Sequence, residues 1–292
     1  MTVCLVTWPG GSARAPCRKT STVNGCNPFF ASLNRALAVT TSNAETFDEH
    51  LSALGVRKGM RVVIHSSLIS FGRIDGGAET VYDSVRRTIG NEGTVAVPTY
   101  TFHIGPTDIF DPATTPSRGF GAFSEWVRMA SEARRGTCPI HGYAAIGPDA
   151  ELVSEADETK SFGPGSAFDA MHQAGFSLLL LGCSFQQGAT FVHHVESNVG
   201  VPYREWLKLP RQIRQSDGGI HKIQVDYYAR MNGTPWQPHL HDLQEEMMRK
   251  DLTVSVAAPY GTSHLMQLDT LYKTTKAMLS ENPLAMVIND PA

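Results

Sequence analysis

The sequence predicts a single α/β domain, and three features carry that expectation. A short β-branched run, Arg61–His65, leads into a loop bearing Gly76-Gly77, then a helical pattern over Ala78–Ile89 and a second short run, Thr94–Pro98. Strand, glycine-bearing loop, helix and strand in that order mark a βαβ-like unit, whose ligand site belongs at the strand's C-terminal end. The 292 residues contain no internal repeat or low-complexity tract that would divide them. A composition of 41% hydrophobic and 18% charged residues is that of a folded globular chain, large enough to bury a core without disulfides or metals.

The elements follow in order. Apolar spacing over Thr46–Leu54 predicts a helix, closed by the turn Gly55-Val56-Arg57-Lys58-Gly59. Arg61–His65 reads as a buried strand ending in Ser66-Ser67, and Pro98 stops the strand Thr94–Pro98. Residues 103–120, rich in Pro, Thr, Asp and Gly, form a long loop, and Phe123–Ala133 reads as a helix. Thr137–Ile146 is extended, Pro148–Glu155 a turn and short helix, Phe168–Ala174 a brief helix, and Ser177–Leu181 a strand. Thr190–Ser197 suits a helix start with Thr190 near the cap. Residues 205–250 show only weak periodicity, and Ser263–Leu279 reads as a helix.

Charge and cysteine usage narrow the function classes. The formal net charge is −3 and the pI about 6.4, without the clustered basic excess of a nucleic-acid binder. Five cysteines, an odd number with no C-x-x-C pair, suit a reduced, cytoplasmic protein. Residues 1–40 hold Arg14, Arg18, Lys19 and Arg35 and no acid, a faint transit-peptide composition that lacks an apolar h-region. Residues 1–42 therefore read as a flexible N-terminal extension, and residues 43–292 as the domain. The longest apolar run, Phe176–Leu181, is too short to cross a bilayer.

The residues that could carry chemistry fall in two places. In Thr190-Phe191-Val192-His193-His194-Val195-Glu196, His193 and Glu196 are three apart and share a helix face. A carboxylate beside an imidazole fixes its tautomer and raises the basicity of the other nitrogen, as a general base requires. The same spacing also fits a solvated His and Glu on a helix surface. The metalloprotease order H-E-x-x-H is absent, and no other histidine spacing suggests a metal. The second place runs from His65-Ser66-Ser67-Leu68 through Phe71-Gly72 to Gly76-Gly77. Small residues between a strand and a helix let backbone N–H groups approach phosphate, and they equally suit a plain structural turn.

Taken together, these segments resemble the aminoglycoside 3-N-acetyltransferase (antibiotic N-acetyltransferase) family. His65-Ser66-Ser67-Leu68, Phe71-Gly72 and Asp75-Gly76-Gly77 match its opening motif, followed by Gly93-Thr94, Pro98-Thr99-Tyr100-Thr101, Asp111-Pro112 and Thr115-Pro116-Ser117. His141 with Ala144-Ala145-Ile146-Gly147, Phe162-Gly163-Pro164-Gly165-Ser166 and Leu179-Leu180-Leu181-Gly182 continue the order. Thr190, His193 and Glu196 fall on its T-x-x-H-x-x-E motif, with Pro202-Tyr203-Arg204 next. The likeness runs from about residue 45 to 210 and resumes over Gly261–Leu279.

The resemblance implies a mixed sheet flanked by helices, distinct from the GNAT-type acetyltransferase fold, and direct transfer from acetyl-CoA to a small-molecule amine without a metal. It implies His193 as base, Glu196 as its orienting partner and Thr190 beside the thioester. It implies a CoA path along Ser66, Ser67, Leu68, Phe71, Gly72, Gly76, Gly77 and Thr99, and acceptor contacts from His141, His194, Tyr100 and Tyr203. Monomer and homodimer are both compatible with it, and neither nucleic acid nor membrane is an expected partner. Two departures bear on the acceptor. His194 stands where small or aliphatic residues are common and Ser197 where an aromatic is common, and residues 205–250 carry comparable numbers of bases and acids, a poor match for a polycation. A non-aminoglycoside amine is therefore the competing acceptor. A Cys183/His193 hydrolase competes from another class, although no nucleophile elbow surrounds Cys183, and a non-catalytic binding module is a third reading.

Overall fold

The computed structural model describes residues 40–289. The strands are β1 (Thr41–Ser42), β2 (Arg61–Ser66), β3 (Arg73–Ile74), β4 (Thr94–Pro98), β5 (Ile109–Phe110), β6 (Arg134–Arg135), β7 (Tyr143–Ile146), β8 (Ser177–Leu181), β9 (Arg204–Arg214), β10 (Ile220–Arg230), β11 (Trp236–Pro238), β12 (Val254–Ala258), β13 (Gly261–Gln267) and β14 (Val287–Asn289). The helices are α1 (Ala44–Ala53), α2 (Gly77–Ile89), α3 (Gly121–Met129), α4 (Ala150–Ser154), α5 (Ala167–Gln173), α6 (Phe185–Gly188), α7 (Phe191–Val199), α8 (His241–Arg249) and α9 (Leu268–Glu281).

The main sheet has the order β12-β13-β8-β2-β4-β7-β6. β2 is parallel to both β4 and β8, and the other pairings in this sheet are antiparallel. This is the mixed sheet that the resemblance implies. Alternation along its strands divides the core. Val62, Ile64, Val95, Val97, Leu179 and Leu181 pack with Phe47, Val81, Val85 and Phe123 from α1, α2 and α3. Val63, Ala96, Leu178 and Leu180 face the other way, onto Phe168, Met171, Val192, Val195 and Leu271 from α5, α7 and α9. Strands buried on both faces read as continuous apolar runs, which is why Ser177–Leu181 was legible without any periodicity.

Three parts differ from the sequence reading. Ser263–Gln267 is strand, not helix: β13 pairs with both β12 and β8, and α9 starts only at Leu268. Its apolar residues Leu265 and Met266 are adjacent and face opposite cores, a pattern that either structure produces in so short a run. Much of the aperiodic stretch after Arg204 is a long antiparallel hairpin, β9–β10, paired from Arg204↔Arg230 to Arg214↔Ile220. One face covers a small satellite core of Ile104, Phe110, Ile140, Ile213 and Val225, and the other carries bases with Trp206, Ile220 and Tyr228 among them. Finally, structure begins before residue 43, since Thr41–Ser42 pairs in parallel with Arg73–Ile74. The rest of the expected N-terminal extension, residues 1–39, lies outside the described residues.

β2 lies between β4, reached through α2, and β8, reached much later in the chain. The parallel strands β2 and β8 thus diverge in their connections at their carboxyl ends, the kind of crevice where open α/β sheets bind ligands. Gly182, just past β8, holds this end together. Its φ is +71°, and a Cβ there would lie 2.8 Å from both the Ser67 carbonyl oxygen and Ser70 Cβ. We expect Gly182→Ala to destabilise the fold by about 2–4 kcal/mol, combining left-handed strain with overpacking. Urea unfolding followed by circular dichroism checks this; an unchanged midpoint would contradict it.

Candidate active site

At the carboxyl ends of β2 and β8 lies a cleft of about 450 Å³, lined by His65, Ser66, Ser67, Leu68, Ile69, Pro98, Phe120, Gly121, Cys183, Gln187 and Thr190, among others. The Ser66 hydroxyl is buried with no hydrogen-bond partner in the protein. An unsatisfied hydroxyl in a cleft wall is suited to a ligand acceptor. Thr190 sits at the N-cap position of α7, where its hydroxyl makes no capping bond; it lines the cleft with the Tyr100 hydroxyl beside it.

One turn further along α7 is His193. Its Nδ1 lies 2.7 Å from Glu196 Oε2, so helix spacing has delivered the pair that the sequence allowed. Glu196 is 1% exposed. Its Oε1 accepts from the Tyr203 hydroxyl at 2.8 Å, and Arg204 Nε lies 2.7 Å from Oε2 without its N–H being aligned for a hydrogen bond. Burial pushes the Glu196 carboxyl up, but His193, Arg204 and Tyr203 together outweigh it and hold the group below its ordinary value. Arg204 Nη2 lies 2.9 Å from His193 Nδ1 and 3.2 Å from Nε2. Near-equal distances to both ring nitrogens place Nη2 over the imidazole face, and the Glu196 carboxylate, which can only accept, takes the Nδ1–H. That assigns the tautomer that keeps the Nε2 lone pair outward.

His141 is buried against the rings of Tyr100, Phe102 and Phe162, at centroid distances of 4.7, 5.0 and 4.3 Å. Its Nδ1 is hydrogen-bonded to the Ser161 hydroxyl. Burial, reinforced by repulsion from His193 and Arg204, holds His141 well below its ordinary value. The Phe162 ring is 6.2 Å from His193, so an aromatic wall separates the two histidines.

Several residues to which the resemblance gives a CoA or acceptor contact have their polar groups or rings engaged within the protein. Thr99 is buried, donating to the Gly142 carbonyl and accepting from Arg135 Nε, so its hydroxyl does not line the cleft. The Phe71 ring is in the core against Phe47 and His50, and Gly72 is packed on the Thr40 backbone. Tyr100 is buried and bonded to Tyr143. Tyr203 is spent on Glu196. His194 is fully buried, accepting from Gly163 N and bonded to Asn198, and it points away from His193 as its neighbour on a helix must. Gly76 and Gly77 open α2 and are not among the cleft-lining residues. Of the expected CoA residues, Ser66, Ser67 and Leu68 do line the cleft, with Thr190. Sequence reasoning gave no role to Arg204, Phe120 or Gln187. The only hint of Arg204 was its place after Pro202-Tyr203. Among the described residues, no group of three or more His, Cys, Asp or Glu side chains could hold a metal, and no helix is long and apolar enough to cross a membrane.

The family model described as "Aminoglycoside 3-N-acetyltransferase" matches residues 63–280. The chain belongs to this family of acyltransferases. Aminoglycoside N(3)-acetyltransferase III from a Salmonella species is 32% identical over 198 residues, covering 61% of this chain and 69% of that protein. The fold is similar to that of "AAC-IIIb binary with CoASH", with a TM-score of 0.72 at 19% identity over 83% of this chain and 97% of the other. It is also similar to "AAC-VIa bound to Sisomicin", with a TM-score of 0.73 at 19% identity over 83% and 98%.

Two outcomes test this geometry. Removing the hydroxyl that satisfies Glu196 in Tyr203→Phe is expected to cost roughly 1.5–3 kcal/mol of stability, read by urea unfolding. Burial also pushes His65 and His194 down to about 4. The unfolded chain titrates them near 6.5, so it binds more protons between those values and stability falls as pH drops through that window. The thermal midpoint should fall by several degrees between about pH 7 and 5, and His194→Gln should flatten the slope. Equal slopes in both proteins would refute the assignment.

Proposed function

We propose that this protein transfers the acetyl group of acetyl-CoA directly to a primary amine of an aminoglycoside or related amino sugar, with His193 as general base. The observation that carries this reading is the His193–Glu196 pair one helical turn beyond Thr190, which itself lines the cleft at the ends of β2 and β8. Ser66, Ser67 and Leu68 would hold the CoA along that cleft, the unpartnered Ser66 hydroxyl being suited to one of its polar atoms.

Acetyl-CoA supplies an already activated thioester, so the protein's tasks are to place the amine and remove its proton. Glu196 holds His193 Nδ1–H, leaving Nε2 to accept the proton. Arg204 Nη2 lies over the ring, 2.9 Å from Nδ1 and 3.2 Å from Nε2, so the in-plane Nε2 lone pair is left to the incoming amine. As the amine nitrogen bonds to the acyl carbon, the carbon–sulfur bond breaks, and the proton taken by His193 leaves on the CoA thiol. The Thr190 hydroxyl is suited to the developing oxyanion. His141, buried and neutral, would shape the acceptor wall.

A second acceptor class, a non-aminoglycoside biosynthetic amine, is favoured by the basic outer face of the β9–β10 hairpin. A thiol nucleophile is not favoured. Burial pushes Cys183 up to about 12, and its Sγ donates to the His65 carbonyl rather than to a base.

His193→Ala should lower turnover by about 10²–10⁴, measured as thiol release from acetyl-CoA across a panel of amines. Activity persisting within a few-fold would falsify the base assignment. Cys183→Ala should retain turnover, and its loss in a folded variant would revive the hydrolase reading.

A further inference from the structure

Two tyrosines lie behind Thr190. β4 ends at Pro98, which pairs with Tyr143 at the start of β7, so the chain just beyond β4 sets Tyr100 beside Tyr143. Both residues are 1% exposed. Tyr100 meets Phe120 and His141 edge-on, each at 4.7 Å between ring centroids, and Tyr143 meets Phe168 edge-on at 5.3 Å. These contacts fix the rings and leave the two hydroxyls bonded to each other. The Tyr100 hydroxyl also reaches the hydroxyl of Thr190, which lines the cleft.

The direction of these bonds follows from the hydrogens that must be placed. Burial pushes both phenols far above their ordinary value, so each keeps a hydrogen that needs an acceptor. Among the described residues, the Tyr143 hydroxyl has Tyr100 as its one hydrogen-bond partner. Were Tyr100 to donate to Tyr143, the Tyr143 hydrogen would be buried without an acceptor. Tyr143 is therefore the donor of the pair. The bond acts on the two phenols in that sense, raising Tyr143 and lowering Tyr100. Tyr100 then has its own hydrogen for the Thr190 oxygen. The Thr190 hydroxyl makes no capping bond to α7, so once it accepts from Tyr100 its own hydrogen is available to the cleft.

We propose that Tyr143 and Tyr100 are positioning residues: a buried hydroxyl relay, Tyr143 to Tyr100 to Thr190, aims the Thr190 O–H at the oxyanion of acetyl transfer. Each donor in such a chain polarises the next, and a donor already aimed needs no reorganisation as charge develops. No proton changes oxygen along the relay. The three hydrogens stay where they are, and only the bond from Thr190 to the oxyanion strengthens. The inference rests on the acetyl-transfer reading, and it gives Tyr100 a role behind Thr190 that is distinct from an acceptor contact.

The test is a double-mutant cycle on the whole protein, read as steady-state thiol release from acetyl-CoA with the best amine of a panel. Circular dichroism establishes first that each variant is folded. Thr190→Val, which loses no capping bond, should lower kcat by about 10²-fold, and Thr190→Ser should restore most of it. Tyr100→Phe should lower kcat roughly tenfold and Tyr143→Phe roughly threefold, with both KM values within about twofold of wild type. Added to Thr190→Val, either Phe substitution should change kcat by less than about twofold, because the relay ends at the missing hydroxyl. A merely structural pair would cost the same factor in both backgrounds, and that result overturns the inference. So does a folded Phe variant with wild-type kcat, whether or not the KM for the amine rises, and so does Thr190→Val within a few-fold of wild type. If Tyr100→Phe does not fold, the Tyr143→Phe cycle decides by the same criteria. If the wild type releases thiol with no amine, the acetyl-transfer reading fails and the inference falls with it. Turnover in which the losses multiply sinks the inference alone.

Discussion

A carboxylate taken out of water costs several kcal/mol unless it is paired and hydrogen-bonded, and Glu196 meets that cost with three partners. Tyr203 donates to one oxygen, while His193 and Arg204 approach the other. Each partner comes from a different piece of local structure: the α7 helix, the turn after it, and the first residue of β9. Burying this one charge therefore fixes how the hairpin leaves the helix. It also fixes the plane and tautomer of the imidazole. Losing one partner would leave an uncompensated charge inside the protein, which makes the arrangement specific as well as stable.

The sheet supplies the second constraint. Because β2 runs parallel to both neighbours and its connections part on either side, the carboxyl ends of β2 and β8 leave a crevice that no loop fills. α7 then packs its Val192 and Val195 into the core on one side of the sheet. That packing sets Thr190 at the crevice and His193 one turn away from it. The cleft and the base are thus positioned by the same buried helix face.

Legibility in the sequence followed burial pattern and spacing. The strands β2, β4 and β8 are short, apolar and bounded by turn residues, and they stand where expected. His193 and Glu196 depended only on helical spacing, which needs no knowledge of the rest of the fold. The residues whose polar groups are engaged within the protein share a different property. Thr99, Tyr100, Tyr203 and His194 are polar groups whose partners, Arg135, Tyr143, Glu196 and Gly163, come mostly from distant or differently folded segments. A motif records that such a residue belongs near a site. It does not record whether its polar atom is already satisfied by the protein.

By itself, then, the sequence determined the α/β class, the βαβ-like unit, the family resemblance and the His–Glu pair, because these rest on local periodicity and chain order. Only the tertiary structure decided that Arg204 completes the pair and that Tyr203 holds Glu196. It also decided that the aperiodic stretch after Arg204 becomes a hairpin whose basic face extends from the base. The physical reason is that hydrogen-bond satisfaction and strand register are set by which segments meet in space, and neither is written in the spacing of residues along one segment.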